Sequence, residues 1–362
     1  RFVEGPGSDY ILEMGAIQDI LDVFLIPLRK RLARAQLQVT KSEVIGVVLD
    51  TIARTERAFV SLQAAQQTLV LNRQILSAAE ASYEGARRLH QAGNITDLAL
   101  ANERALYEQA RLAVASAEMV VLQRRERVNT LLGLWGEQTS WQIAGGLPDL
   151  PAEPLDLDEL ERRAVANSLD LAIMRQRMTA TAARMGIDAS QLVFPELAAG
   201  AEAEREPDGE WSVGPAFGVG IPLFDQGVAR KAAGRAELRR LWDEYTALAI
   251  DLRSVARSAR YRLLNARRQS EYHERVIVPL AQQITGETQL QYNAMQLGVF
   301  ELLAAKQREI DMQRGAIRAL EEYWTARADL ELLLSGRMTT QPSGTEPSTE
   351  DPMAMPSAGG GH

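Results

Sequence analysis

The sequence predicts a mainly α fold with a minor β part, organised as a duplicated unit of strand plus long helical hairpin. Three observations carry this expectation. Proline is placed very unevenly, the proline-free tracts carry a three-four apolar rhythm, and the chain repeats itself at an offset near 200 residues.

Of the 14 prolines, none lies between Leu28 and Leu147, between Leu223 and Val278, or between Leu280 and Gln341, tracts of 120, 56 and 62 residues. An interior proline removes a backbone donor and costs a helix about 3 kcal/mol, so such tracts permit very long helices. The apolar spacing agrees. Leu62, Ala65, Leu69, Asn72, Leu76, Ala79, Tyr83 and Ala86 alternate steps of three and four, as do Leu238, Leu241, Tyr245, Leu248, Leu252, Val255 and Ala259. This is the seam of helices packed side by side over long distances, and its alanines imply close approach. A helix from Arg29 to Gln91 is on the order of 95 Å long, too long for a compact domain.

Each tract is interrupted once, at Gly93-Asn94-Ile95-Thr96-Asp97 and at Gly298-Val299-Phe300-Glu301. Glycine closes helices, and Asn94 or Thr96 is suited to cap the next one. Two antiparallel hairpins follow, with Leu98 to Leu134 and Phe300 to Leu334 as the returning helices. Pro279 should bend the long second helix.

The hairpins read as copies. Leu28 to Leu37 aligns with Ala229 to Leu238 at an offset of 201, Gly93 with Gly298 at 205, and Leu132-Gly133 with Ser335-Gly336 at 203. A near-constant offset over so long a stretch indicates duplication. The expected organisation is a first repeat over 1–145, a linker and equatorial helices over 146–190, a second repeat over 191–338, and a disordered tail over 339–362. Within it, Leu147 to Pro154 is a rigid linker and Leu157 to Ala189 is helical.

The β part is expected at Leu197 to Arg205 and Trp211 to Ile221, turning at Pro207-Asp208-Gly209-Glu210. Trp211, Val213, Pro215, Phe217, Val219 and Ile221 fall on one face and Ser212, Gly214, Ala216, Gly218 and Gly220 on the other. Period two with one apolar face and one small or acidic face suits a hairpin between oil and water, and about 10 residues is the length of a tilted barrel strand. A soluble hairpin packed on a helix shares this pattern. Two strands alone are marginal, so others must join them. Tyr10, Leu12, Met14 and Ala16 supply a counterpart in the first repeat.

Composition excludes several functions. The 362 residues carry 40 basic and 48 acidic side chains, a net charge of −8, which gives no sequence-wide attraction to phosphate and argues against nucleic acid. There is no cysteine, hence no disulfide, thiolate zinc site or cysteine nucleophile, and the three histidines are far apart. No nucleophile, base or metal cluster is placed by the sequence, so neither enzymatic activity nor a cofactor is expected. No run approaches the roughly 18 apolar residues of a transmembrane helix. Ile17 to Leu28 is broken by Asp19, Asp22 and Pro27.

In its order of elements the chain resembles the TolC-like outer membrane efflux protein family. The resemblance spans about Tyr10 to Gly336. It rests on the duplicated layout and on Gly218 to Gly227, Ala92 to Leu98, Leu297 to Ala305 and Leu131-Leu132-Gly133. It implies a homotrimer in which each protomer gives four strands to one shared β-barrel in the outer membrane of a Gram-negative bacterium. The helices would form a long periplasmic α-barrel. Such ducts are passive and dock through their tips to a periplasmic adaptor protein and an inner-membrane pump. The family layout also implies a helix and a strand before Tyr10, so the chain is expected to be a fragment without them.

The resemblance makes Arg88, Leu89, Gly93, Asn94, Thr96 and Asp97, with Leu297, Gly298, Val299, Phe300 and Glu301, the candidates for adaptor docking or aperture gating. Glu202, Glu204 and Glu206 are candidates for an acidic ring in the barrel lumen. Gly93 and Gly298 are expected to make the chain reversals. Arg29, Lys30 and Arg34, repeated as Arg230, Lys231 and Arg235, stand where strand meets helix. Met353, Met355 and His362 are too few to make a soft-metal site. The rival function is a structural coiled-coil scaffold binding partner helices, which accounts for the heptads but not for the strands.

Overall fold

The computed structural model describes residues 2–4, 10–19, 21–143, 145–193, 196–205, 211–220 and 228–338. Their elements run β1 (Phe2–Glu4), β2 (Tyr10–Asp19), α1 (Leu21–Gln91) and α2 (Asp97–Leu132), then α3 (Leu160–Asn167) and α4 (Leu169–Val193). They continue with β3 (Glu196–Arg205), β4 (Trp211–Gly220), α5 (Val228–Tyr272), a π-turn at His273–Ile277, α6 (Val278–Asn293) and α7 (Val299–Leu334). The turn at 207–210, the junction at 221–227, Glu206 and the tail from 339 lie outside the described residues.

The α1–α2 hairpin closes on the expected seam. Leu62, Ala65, Leu69, Asn72 and Ala86 are buried, and Leu62 and Leu69 cluster with Ala117, Val121 and Val128 of α2. Asn72, the polar member, donates to the Ala113 carbonyl at 3.3 Å and accepts from Arg314 at 2.6 Å, so its burial leaves no amide group wanting.

The second hairpin lies against the first, α7 antiparallel to α1. Arg337 bonds Asp50, Arg57 bonds Asp329, and Arg314 bonds Asn72, a ladder along both helices. From the last rung, Asn72–Arg314, α1 runs 19 further residues to its end at Gln91 and α7 runs 15 back to its start at Val299, about 28 and 22 Å at 1.5 Å per residue, so both turns reach the same end of the molecule. The main core gathers Leu160, Ala164 and Leu171 with Leu252, Leu263, Tyr323 and Leu330 where α3, α4, α5 and α7 meet.

Three elements depart from expectation. α1 starts at Leu21 and carries Pro27 inside it. The ring's fixed φ suits a helix, and near the helix start only the Val23 carbonyl loses its donor. The helical stretch expected over Leu157 to Ala189 is two helices, because Ser168 breaks it and caps α4, its Oγ accepting from the Leu171 amide at 3.2 Å. At Pro279 the answer is a π-turn: the helix widens over His273–Ile277 and restarts with Pro279 in the first turn of α6, where its missing N–H costs nothing.

The segment 145–155 is strapped across the helices. Gln63 of α1 donates to the Gly146 carbonyl at 3.0 Å, Trp324 of α7 to Pro148 at 2.8 Å, and Arg267 of α5 to Pro151 at 2.9 Å. With Trp141, which donates to Asn129 of α2 at 2.8 Å, it forms a belt over one face of the helical layer.

The strands form one antiparallel sheet in the order β1-β2-β3-β4. β1 corrects an expectation, since Phe2–Glu4 already pairs with Tyr10 to Leu12 in a region where no strand was anticipated. The register aligns Met14 with Ala203 and Val213, Ala16 with Ala201 and Pro215, and Gln18 with Ala199 and Phe217. Pleat parity puts Ala201, Ala203, Val213, Pro215 and Phe217 on one face.

Candidate functional site

At the first turn α1 ends in a Schellman closure. The Asn94 amide reaches the Leu89 carbonyl and the Gly93 amide that of His90, both at 2.9 Å, with Gly93 at φ +76°. Thr96 caps α2, its Oγ1 accepting from the Ala99 amide at 3.2 Å. Asp97 opens α2, where the helix dipole favours a carboxylate, and its Oδ1 meets His90 Nε2 at 2.6 Å, pinning the two ends together. Arg88 and Leu89 are exposed beside it.

The second turn has the same bonds. Gln296 reaches the Gln291 carbonyl at 3.0 Å, Met295 that of Tyr292 at 2.9 Å, and Ala294 that of Leu290 at 3.0 Å. Each is the first-turn bond moved by 202 residues. Met295, at φ +60°, is thus the counterpart of Gly93, and Gly298 that of Thr96. This corrects the reading of Gly298 as a reversal glycine: its φ is −80°, and it is the cap of α7. The mistake arose because a glycine near the turn was the visible signal, while a methionine in the left-handed region has none.

Leu297 is half-buried, Gly298 and Glu301 are exposed, and Val299 and Phe300 open α7, their side chains lying outside the described residues. The eleven predicted residues therefore occupy two neighbouring turns at one end of the molecule. At their surface stand the charged Arg88, Asp97 and Glu301 and the apolar Leu89, joined by Met295. Met295, 94% exposed, is the tip residue sequence reasoning missed.

The sheet lies at the strand-helix end, with Arg29, Lys30, Lys231 and Arg235 exposed at the helix starts beside it. Along β4, Trp211, Val213 and Phe217 are exposed, Val213 at 71% and Phe217 at 78%, so among the described residues no helix packs on this apolar face. The register places Glu204 opposite Glu13 and Glu202 opposite Gly15. Glu13 is an addition that sequence reasoning missed, since it is nearly 200 residues away and joins only through pairing. Glu202 is exposed; the side chain of Glu204 and all of Glu206 lie outside the described residues. Among the described residues there is no cluster of metal-ligating side chains, and no helix is long and apolar enough to cross a membrane.

Comparison with known proteins agrees with this architecture. A model of the outer membrane efflux protein family matches residues 26–134, most of the first hairpin. No curated protein sequence matches the chain. Among solved structures, the outer membrane protein VceC of Vibrio cholerae is 14% identical with a TM-score of 0.75, covering 92% of this chain and 82% of its own. A membrane protein of Pseudomonas aeruginosa is 19% identical with the same score and coverage. The open-state MtrE outer membrane channel of Neisseria gonorrhoeae is 17% identical with a TM-score of 0.66, covering 91% and 80%. The chain has the TolC-like fold of outer membrane efflux channels, with the sequence of that family recognisable over residues 26–134.

Proposed function

We propose that the chain is one protomer of a trimeric, passive export duct in the outer membrane of a Gram-negative bacterium, with its helices in the periplasm. The observation that carries this reading is the sheet. Four antiparallel strands, three of them 10 residues long and so about the length of a tilted barrel strand, expose one apolar face on which nothing packs among the described residues. Such a sheet is not stable in water alone, and closure with other copies in lipid satisfies both its edges and its apolar face.

Trimerisation is supported independently. Leu37, Val44, Val48, Ile52 and Phe59 form an exposed stripe on α1, turned away from Asp50 and Arg57, which bond Arg337 just past the end of α7 and Asp329 within it. Ile250, Tyr261 and Tyr272 form another on α5, opposite its buried Leu252, Ala256 and Leu263. Two different apolar stripes on one protomer suit a heterologous contact, which closes into a ring. In this assembly the acidic face of the sheet lines the barrel, and 1–145 and 191–338 act as repeats joined by 146–190. The paired turns dock a periplasmic adaptor that links the duct to an inner-membrane pump.

Membrane fractionation with unheated gel electrophoresis tests the duct. The protein should sediment with outer membranes and run as a heat-labile trimer; recovery as a soluble monomer overturns the reading. Docking is tested by crosslinking. The chain has no cysteine, so Thr96→Cys and Val299→Cys are clean probes that should crosslink to the adaptor in cells. Absence of both adducts removes the turns from the docking surface.

A further inference from the structure

On the face of the helical layer opposite the belt, α1, α2 and α7 enclose a cleft of about 580 Å³ lined by Arg54, Arg57, Arg127 and Arg318, with Ser61 and Thr325 between them. At 100° per residue, Arg54 and Ser61 stand half a turn round α1 from Gln63, which holds the belt. Arg57 is held by Asp329, and the lining carboxylate Glu321 is paired at 2.8 Å with Arg124 at the rim, which also donates to the Ser61 carbonyl. Arg127 and Arg318 have no bonded partner among the described residues. Arg54 donates only to the Asp50 carbonyl, at 3.3 Å. Against these three guanidiniums without a carboxylate stands one lining carboxylate without a cation, Glu322.

A positive cleft is unexpected in a chain of net charge −8. Guanidiniums from three helices, with hydroxyls between them, match a ligand that has several oxygen acceptors spread over one molecule. We propose that this cleft is a binding station for polyoxyanions, molecules bearing phosphate or carboxylate groups. The proposal rests on the duct reading for its location. A ring of protomers that keeps the belt outside turns the three clefts into the lumen, where facing cationic walls concentrate anions.

Calorimetry on the purified detergent-solubilised protein at low salt tests the site, with inorganic pyrophosphate and citrate as separate probes. The double variant R127Q/R318Q is chosen because neither side chain holds the fold. Arg73→Gln, which removes an exposed pair with Glu118 outside the cleft, is the control. The double variant should weaken at least one probe about tenfold while the control leaves both unchanged, and which probe responds tells phosphate from carboxylate. Absence of wild-type binding, or equal binding by the double variant, overturns the proposal. In planar bilayers under a KCl gradient, the same variant should shift the reversal potential toward cation selectivity. Absence of any conductance refutes the duct, whereas the calorimetry still decides the cleft.

Discussion

Met295 takes the left-handed backbone conformation that Gly93 takes in the other turn, and a side chain there costs about 1–2 kcal/mol. Met295→Gly should therefore stabilise the protein by about 0.5–1 kcal/mol after the extra freedom glycine has in the unfolded chain, and Gly93→Ala should destabilise it similarly. Denaturant midpoints of the two variants, moving in opposite directions, check this. A second residue-scale effect concerns Glu56. Loss of water around its carboxylate, and then the charge of Glu331, raise its pKa above the ordinary 4.5, against the opposing Arg327 and Arg57. A raised acid contributes stability that is fully present below its unfolded pKa and is lost as pH rises through the folded one. Glu56→Gln should thus raise the melting temperature at pH 7 and have little effect at pH 4. An equal gain at both values contradicts the assignment.

The two hairpins share bonds at their turns yet differ at mid-length. In the first, Asn72 ties α1 to the Ala113 carbonyl of α2 and to Arg314 of α7. Asn72→Ala removes both links and leaves the Arg314 Nη2 without its acceptor while Nη1 keeps Asp311, for a loss of about 1–3 kcal/mol in equilibrium unfolding. In the second hairpin, Gly315 stands where the first has Ala113, and His273 at the head of the π-turn packs against it. A Cβ at Gly315 would lie 2.9 Å from the imidazole Cε1. Glycine to alanine in a helix ordinarily gains about 1 kcal/mol. Here the ring is in the way, and Gly315→Ala should instead destabilise by about 1–3 kcal/mol. The double variant H273A/G315A should regain the helical preference, so a coupling energy near zero in the double-mutant cycle refutes the packing argument.

At the scale of the whole molecule, the protomer has its ion-pair ladder inside and apolar stripes outside. Arg337 joins α1 to α4 through Asp50 and Asp170, and the Asp50 hydrogen bond raises the pKa of its guanidinium further above the ordinary arginine value. The stripes on α1 and α5 have no such partner among the described residues. If the proposed trimer is correct, Val48→Glu with Ile52→Glu should abolish the unheated trimer band and leave the helical circular dichroism of the chain intact. A trimer that survives both charges places its contacts elsewhere.

The long helices, their ends at the turns and the strand runs were legible in the sequence because each rests on local chemistry: absent proline, a three-four rhythm, alternation by two, and capping residues such as Thr96. The family resemblance was legible for the same reason, since it follows the order of those signals. The constant 202-residue correspondence of the turns was not, because Met295 and Gly298 hold their places through backbone dihedrals that side-chain identity does not announce. Nor was β1, whose three residues form a strand only by pairing with β2. The belt, the Arg337 clamp, Glu13 opposite Glu204 and the arginine-lined cleft join residues up to nearly 290 positions apart. Only the packing of α7 against α1 and the closing of the sheet bring them together, so the sequence by itself determined the elements and the tertiary structure decided what they jointly form.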